Sequence, residues 1–288
     1  MSRFLDWLSR RRLATLAIAF LPNGVRSRLW AISYDMYDSP TEQFYWSIYL
    51  EHIRRAIQSS YGDQKLRILS IGCGHGRDSI PLAKLGHQIV AVDKNKEALT
   101  RAEKHARREG VTVDFRRIDI FSTELSEVFD AILAIETLPG TVCEIEKLIR
   151  VATKYLKMGG LLAIAVYTRY YQIASCLKRG DYATAEQIAN GSDQTRWLHP
   201  ADLEQSLLSH GYTMLELAGI GTISHHRIDG FNDLPVPEQL SEDQRRKLLQ
   251  IELNLSSVNE ISGCGRRMLA LARKDNSIHE MASFNTRS

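Results

Sequence analysis

The chain has 288 residues, 44% of them apolar and 25% charged, with a net charge of +3. That length holds one large α/β domain with additions, or two small domains, and either buries a substantial core. The composition is that of an ordinary soluble protein, the charge does not announce a nucleic-acid binder, and four dispersed cysteines without C-x-x-C spacing point to reduced thiols rather than a disulfide frame or a zinc site.

Residues 1–22 carry Arg10-Arg11-Arg12 followed by an apolar run at 13–21. The run is too short to span a bilayer, so it reads as an amphipathic helix, with Leu5, Leu8, Leu13, Leu16 and Phe20 on one face, and not as a secretion signal. Its basic cluster and Trp7 also suit peripheral contact with a membrane surface. Asn23-Gly24 turns the chain into an aromatic-dense segment with Trp30, Tyr34 and Tyr37. Ser39, Pro40 and Glu42 then make an S-x-x-E helix start, and Trp46, Leu50, Ile53 and Ile57 give that helix an apolar stripe.

Residues 67–71, RILSI, lack polar alternation, as does a parallel strand buried on both faces. The turn Gly72-Cys73-Gly74-His75-Gly76 follows at once. Glycines at alternate positions let the backbone take positive φ and keep Cβ atoms away from a ligand, while the next helix aims its free N–H groups at anionic parts of that ligand. This helix carries Ile80, Ala83 and Leu85 and stops near Gly86; strand 88–92 then delivers Asp93, 17 residues past Gly76. A carboxylate there can accept both ribose hydroxyls of an adenosine-containing ligand. The third glycine comes one residue earlier than in the dinucleotide pattern G-x-G-x-x-G, with Arg77 in its place, and no P-loop occurs.

G-x-G-x-G between an apolar strand and a helix, with Asp93 downstream, resembles the first two motifs of class I S-adenosylmethionine-dependent methyltransferases. The resemblance implies that Gly72, Cys73, Gly74 and Gly76 carry the methionine end of the cofactor and Asp93 the ribose, with Lys94 as a further cofactor contact. Residues 97–110 form a basic helix whose charge reads as a solvated face, with a nucleic-acid surface as the alternative. Residues 111–119 alternate like a strand ending on Asp119; in the family this resembles, an acid here bonds the adenine amino group and the neighbouring apolar residue, Ile120, lies against the ring.

A fourth strand, 129–136, ends on Glu136, which the resemblance places on the methyl-transfer side, lining both cofactor and substrate. A helix at 142–156, a Gly159-Gly160 turn and a strand at 161–167 follow, and YLKMGGLLAIAVYT closely resembles the family's fifth-strand region. Helices fill 170–211, one of them starting at His199-Pro200 with Asp202 in its first turn. Strands at 212–220 and 266–274, flanking a helix at 241–255, fit the antiparallel edge of such a sheet.

The resemblance covers residues 66–274 and implies an α/β, Rossmann-like, seven-stranded, mostly parallel sheet with an antiparallel C-terminal strand and helices on both faces. The expected organisation is an N-terminal helical cap and substrate lid (1–62), an S-adenosylmethionine-binding domain (63–274) with insertions at 169–211 and 221–265, and a flexible tail (275–288).

A sulfonium methyl is already a strong electrophile, so catalysis is expected to be mostly placement, with modest help in removing a proton from the acceptor. No general base is assigned; the candidates are Glu136, His199, His225 and Tyr34, while His75 reads as a structural loop residue. His225, His226, Asp229 and Asp233 lack a recognised ligand spacing, so no metal is expected. The stretch Glu136-Thr137-Leu138-Pro139 is not the Asn/Asp-Pro-Pro-Tyr/Phe run of amide and adenine methylation, and Cys143 lacks the Pro-Cys setting of cytosine enzymes. What remains is methyl transfer from S-adenosyl-L-methionine to an O, N or C atom of a small, partly apolar metabolite in the cytoplasm. The competing readings are an RNA or protein methyltransferase, a non-catalytic S-adenosylmethionine-binding partner, and a dinucleotide oxidoreductase.

Overall fold

The computed structural model describes residues 40–137, 141–192, 197–222 and 237–275. The expected N-terminal amphipathic helix, Tyr34, Tyr37, Ser39, Pro139, His225, His226, Asp229, Asp233 and the tail from 276 lie outside the described residues.

Seven strands form one sheet: β1 (Arg67–Ile71), β2 (Gln88–Asp93), β3 (Asp114–Arg117), β4 (Phe129–Ile135), β5 (Leu156–Tyr167), β6 (Tyr212–Ile220) and β7 (Arg267–Lys274). Their order is β3-β2-β1-β4-β5-β7-β6, with β1 to β5 parallel and β7 antiparallel to both β5 and β6. This is the mostly parallel, Rossmann-like sheet with an antiparallel C-terminal strand that the sequence led us to expect.

The α-helices among the described residues are α1 (Pro40–Tyr61), α2 (Ser79–Lys84), α3 (Lys96–Arg108), α4 (Val142–Tyr155), α5 (Arg169–Lys178), α6 (Tyr182–Asn190), α7 (Pro200–Ser209), α8 (Glu242–Ser256) and α9 (Asn259–Ser262). Side chains alternate across the strands, so the inner strands feed two cores. One face carries Ile68, Leu133, Ala163 and Leu269 against α1, α2, α3 and α8; the other carries Leu69, Ile132, Ile164 and Met268 against α4 and α7. That arrangement explains the unbroken apolar runs of β1, β4 and β5.

Three expectations need correction. The stripe of α1 is rotated: Ile48, Tyr49, His52, Ile53 and Ile57 are buried, while Trp46 and Leu50 sit half-buried at its flanks. The buried face includes a polar contact, His52 lying 2.8 Å from Ser256 Oγ through Nε2 and 3.0 Å from Glu216 Oε1 through Nδ1. Second, β5 begins directly at Leu156, without a separate turn. Phe129 pairs with Leu156 but Ala131 with Leu161, so the Gly159-Gly160 stretch is a bulge within the strand. Third, β3 is shorter than 111–119; as an edge strand it has one neighbour and pairs over Asp114–Arg117 alone.

Helix starts follow their sequence signals. Ser241 and Gln244 make a capping box on α8, and His199 and Asp202 make one on α7. No helix among the described residues is long and apolar enough to cross a membrane.

Candidate functional site

The strand order reverses between β1 and β4, and the carboxyl ends of those strands open the crevice where sheets of this kind take ligands. Beyond β1, Gly72, Gly74 and Gly76 hold φ of +65°, +52° and +80°. Their surroundings differ. A Cβ on Gly72 would stand 2.4 Å from Thr137 Cγ2, so this glycine lets the ends of β1 and β4 close together, where Thr137 Oγ1 donates to the Ile71 carbonyl at 2.6 Å. A Cβ on Gly76 would press on Ile80 at 3.0 Å. A Cβ on Gly74 would meet no described atom within 4 Å, so its backbone borders a cradle that a side chain would fill.

The Gly74 N–H donates to Asp93 Oδ2 at 2.9 Å, and the Asn95 N–H donates to Asp93 Oδ1 at 2.8 Å. The carboxylate thereby ties the glycine turn to the start of α3, where Asn95 Oδ1 accepts from the N–H groups of Glu97 and Ala98. Each carboxylate oxygen retains acceptor capacity for a further donor, and Asp93 is half-buried at the crevice. An open glycine backbone beside such an acid fits an adenosine-containing cofactor. Lys94 is exposed, and its carbonyl accepts from Arg117 Nε at 3.4 Å.

Below the turn stands Asp78, a residue the sequence reading passed over. Its carboxylate accepts from Ser79 N–H at 2.6 Å and from Ser70 Oγ at 2.7 Å, which pins α2 to β1, while burial pushes its pKa up. Cys73 is buried and burial pushes its thiol up as well, so it stays protonated. Burial, then the charges of Arg77 and Arg101, lower the His75 imidazole to about 3 and keep it neutral.

Asp119 and Ile120 lie past β3, next to the end of β2, where the Ile118 N–H donates to the Asp93 carbonyl at 3.2 Å. Asp119 is exposed and its Oδ1 accepts the Phe121 N–H at 3.0 Å; Ile120 is buried in the core with Val90 and Val92.

Glu136, past the end of β4, has φ of +59°, a conformation a non-glycine residue adopts only when its surroundings hold it. Two contacts do so: its N–H donates to the Ala165 carbonyl at 3.1 Å, and its carboxylate forms an ion pair with Arg267. Burial opposes the charge of Arg267, and the Glu136 carboxylate overrides it, holding the guanidinium well above its ordinary pKa. Arg267 also donates to Tyr167 Oη at 2.9 Å. Tyr49 is fully buried, and burial, with the Glu136 charge second, raises its pKa.

Glu42, half-buried at the start of α1, lies 3.8 Å from Arg77 Nη1 and 3.4 Å from Arg266 Nη1. It links the glycine turn to the start of β7. Arg77 lies over the Trp46 ring at 5.1 Å, and Tyr167 stacks on Tyr171 at 5.3 Å. The sequence reading named none of these arginines as site residues; the available signal was Arg266-Arg267 opening an otherwise apolar strand.

Of the other candidate bases, His199 serves as the α7 cap, its Nδ1 accepting the Ala201 N–H at 3.3 Å. Tyr34 and His225 lie outside the described residues. Among the described residues no group of three His, Cys, Asp or Glu is placed to hold a metal ion. A groove of about 650 Å³ between α1, α2 and α8, lined by Leu50, Arg55, Leu82 and Leu249 among others, includes none of the turn residues.

A family model described as a methyltransferase domain matches residues 62–219. A ubiquinone biosynthesis O-methyltransferase of Rhizobium johnstonii is 28% identical over 195 residues, covering 67% of this chain and 75% of the relative. One from Agrobacterium fabrum is 27% identical over 197 residues, covering 63% and 78%. Among solved structures, magnesium protoporphyrin IX methyltransferase from Synechocystis PCC 6803 with bound S-adenosylhomocysteine gives a TM-score of 0.52 at 13% identity, over 95% of this chain and 99% of that one. An S-adenosylmethionine-dependent methyltransferase from Clostridium acetobutylicum gives 0.52 at 13% identity, over 88% and 100%. At that identity the two structures speak for the fold alone.

Proposed function

The chain belongs to the methyltransferase-domain family and is a class I S-adenosylmethionine-dependent enzyme, and from that premise we propose that it methylates a hydroxyl oxygen of a small, partly apolar acceptor. The observation that carries the cofactor site is the Asp93 carboxylate bridging Gly74 and Asn95 beside the open glycine backbone. The choice of oxygen draws its support from the relatives, which are named as O-methyltransferases.

In this reading Gly72, Cys73, Gly74 and Gly76 receive the methionine end, Asp93 the ribose and Asp119 with Ile120 the adenine. When bound, S-adenosylmethionine supplies an electrophilic methyl that needs no covalent nucleophile from the protein. The chain's own work is orientation and exclusion of water. Asp93 fixes the cofactor's position by hydrogen bonds. Glu136 and Arg267 neutralise each other at the end of β4, so this edge is held rigid, and Glu136 has a structural partner rather than a free role as base. The acceptor's proton leaves to water.

The basic residues around α3 favour a small acceptor over RNA. Glu97, Glu103 and Glu109 stand among them, Glu109 pairs with Lys84, and Arg116 is held by Asp114 and Glu127, so part of this charge is neutralised locally. A cytoplasmic setting is part of the proposal, supported by four cysteines of which none forms a disulfide.

The test is transfer of labelled methyl from S-adenosylmethionine to a panel of catechols, phenols and amines. Label in an O-methyl ether is the expected result. Label on nitrogen or carbon alone would overturn the oxygen assignment, and cofactor binding without transfer to any acceptor would favour a non-catalytic partner.

A further inference from the structure

Arg266 ends the loop that leads into β7, and its backbone is fixed on both sides. The Thr168 N–H donates to its carbonyl at 3.3 Å, and Thr168 Oγ1 donates to the Gly265 carbonyl at 2.7 Å. Gly265 also lets this loop pack closely on β6, since a Cβ there would stand 2.8 Å from the Ile220 backbone. The guanidinium is thereby presented at a set place, 5.6 Å from the Tyr171 ring centre and 6.0 Å from that of Tyr167, beside the stacked tyrosine pair.

The two neighbouring arginines are used differently. Arg267 is 2% exposed and has its own carboxylate, Glu136. Arg266 is 19% exposed, so solvent reaches it, and its carboxylate contact is one 3.4 Å approach to Glu42, an acid that Arg77 also faces. Among the described residues, the buried donor atoms in this cluster that find no hydrogen-bond acceptor include Nε of Arg266, Nε of Arg267 and Nε1 of Trp46. Buried N–H groups without acceptors call for an acceptor-rich partner. A guanidinium fork beside aromatic rings matches a flat, bidentate carboxylate.

We propose that Arg266, set against Tyr167 and Tyr171 at the carboxyl edge of the sheet, recognises a carboxylate on the methyl acceptor. The inference rests on the methyltransferase reading above and deepens it: the acceptor is a hydroxy acid with a planar, aromatic body. A carboxylate is favoured over a phosphate because Glu42 and Glu136 already stand in the cluster, which disfavours a dianion.

The experiment compares 4-hydroxycinnamate with its neutral amide and with 4-hydroxyphenyl phosphate. Binding to the protein loaded with S-adenosylhomocysteine is measured by calorimetry, and methyl transfer is followed in parallel. The acid is expected to bind about ten- to a hundredfold more tightly than the amide, the range of a charge-assisted hydrogen bond, and more tightly than the phosphate. Arg266→Gln removes the preference for the acid, Arg266→Lys keeps part of it, and neither changes affinity for S-adenosylhomocysteine. Equal binding of acid and amide, no binding of either, preference for the phosphate, or equal losses for acid and amide in Arg266→Gln would each overturn the proposal. So would a loss of S-adenosylhomocysteine affinity in Arg266→Gln, which would assign the arginine to the cofactor. Failure of the wild-type protein to bind S-adenosylhomocysteine at all would instead count against the methyltransferase reading.

Discussion

On one side of the crevice, the glycine turn, Asp93 and Asn95 all come from residues 72–95, whereas on the other Glu42, Arg77, Glu136, Tyr167, Arg266 and Arg267 arrive from α1, the turn, β4, β5 and β7. The first side is built by local chain geometry: positive φ at glycines, a helix cap and one carboxylate. The second is built by charge pairing between elements distant in sequence, and it stands only when the whole sheet has formed. The first should therefore respond to substitution mainly through ligand affinity, the second mainly through stability.

The largest effect expected is on the second side. Arg267→Met strands the Glu136 carboxylate, and removing one partner of a buried pair costs about 3–5 kcal/mol. Denaturant unfolding should show it, and adding Glu136→Gln should recover much of the loss; a mild single mutant or no recovery would blur the contrast.

Next comes a division within the glycine turn. Gly72→Ala should cost about 2–3 kcal/mol, since the new methyl meets Thr137 at 2.4 Å in a left-handed conformation. Gly74→Ala meets no described atom and should cost only about 1–2 kcal/mol of stability, from its φ alone, while weakening cofactor binding more than that. Equal melting temperatures for the two would show that the turn does not divide in this way.

The remaining effect is a pH dependence, confined to the acid range. His75 sits at about 3 in the folded chain against an ordinary 6.5, so the unfolded chain takes up the proton first. Its contribution is complete above about pH 6.5 and is lost as the pH falls toward 3. His75→Gln should flatten the acid side of a plot of melting temperature against pH, and an unchanged slope would remove His75 from the account.

The same comparison explains what could be read from the sequence. The β1-turn-α2-β2 unit and Asp93 are contiguous, so strand composition, glycine spacing and helix caps were sufficient to find them. Seven strands and their C-terminal reversal were also legible, because apolar runs and turns mark them. The pairing of Glu136 with Arg267 was not, since no periodicity connects β4 with β7. His52 hid the true face of α1 for a related reason: a histidine reads as exposed until Glu216 and Ser256 are known to meet it. At the β5 bulge, Gly159-Gly160 carried a true turn signal, but the ladder with β4 resumes on its far side and makes it part of one strand.

The most direct test of the central claim is calorimetric titration of the wild-type protein and of Asp93→Ala with S-adenosylhomocysteine and with NAD. The wild type should bind S-adenosylhomocysteine and not NAD. Asp93→Ala should remain folded and lose about a hundredfold in affinity, the worth of two hydrogen bonds to a charged group at the low end of their range. Unchanged affinity in Asp93→Ala, or binding of NAD alone, would contradict the assignment of this crevice as the S-adenosylmethionine site.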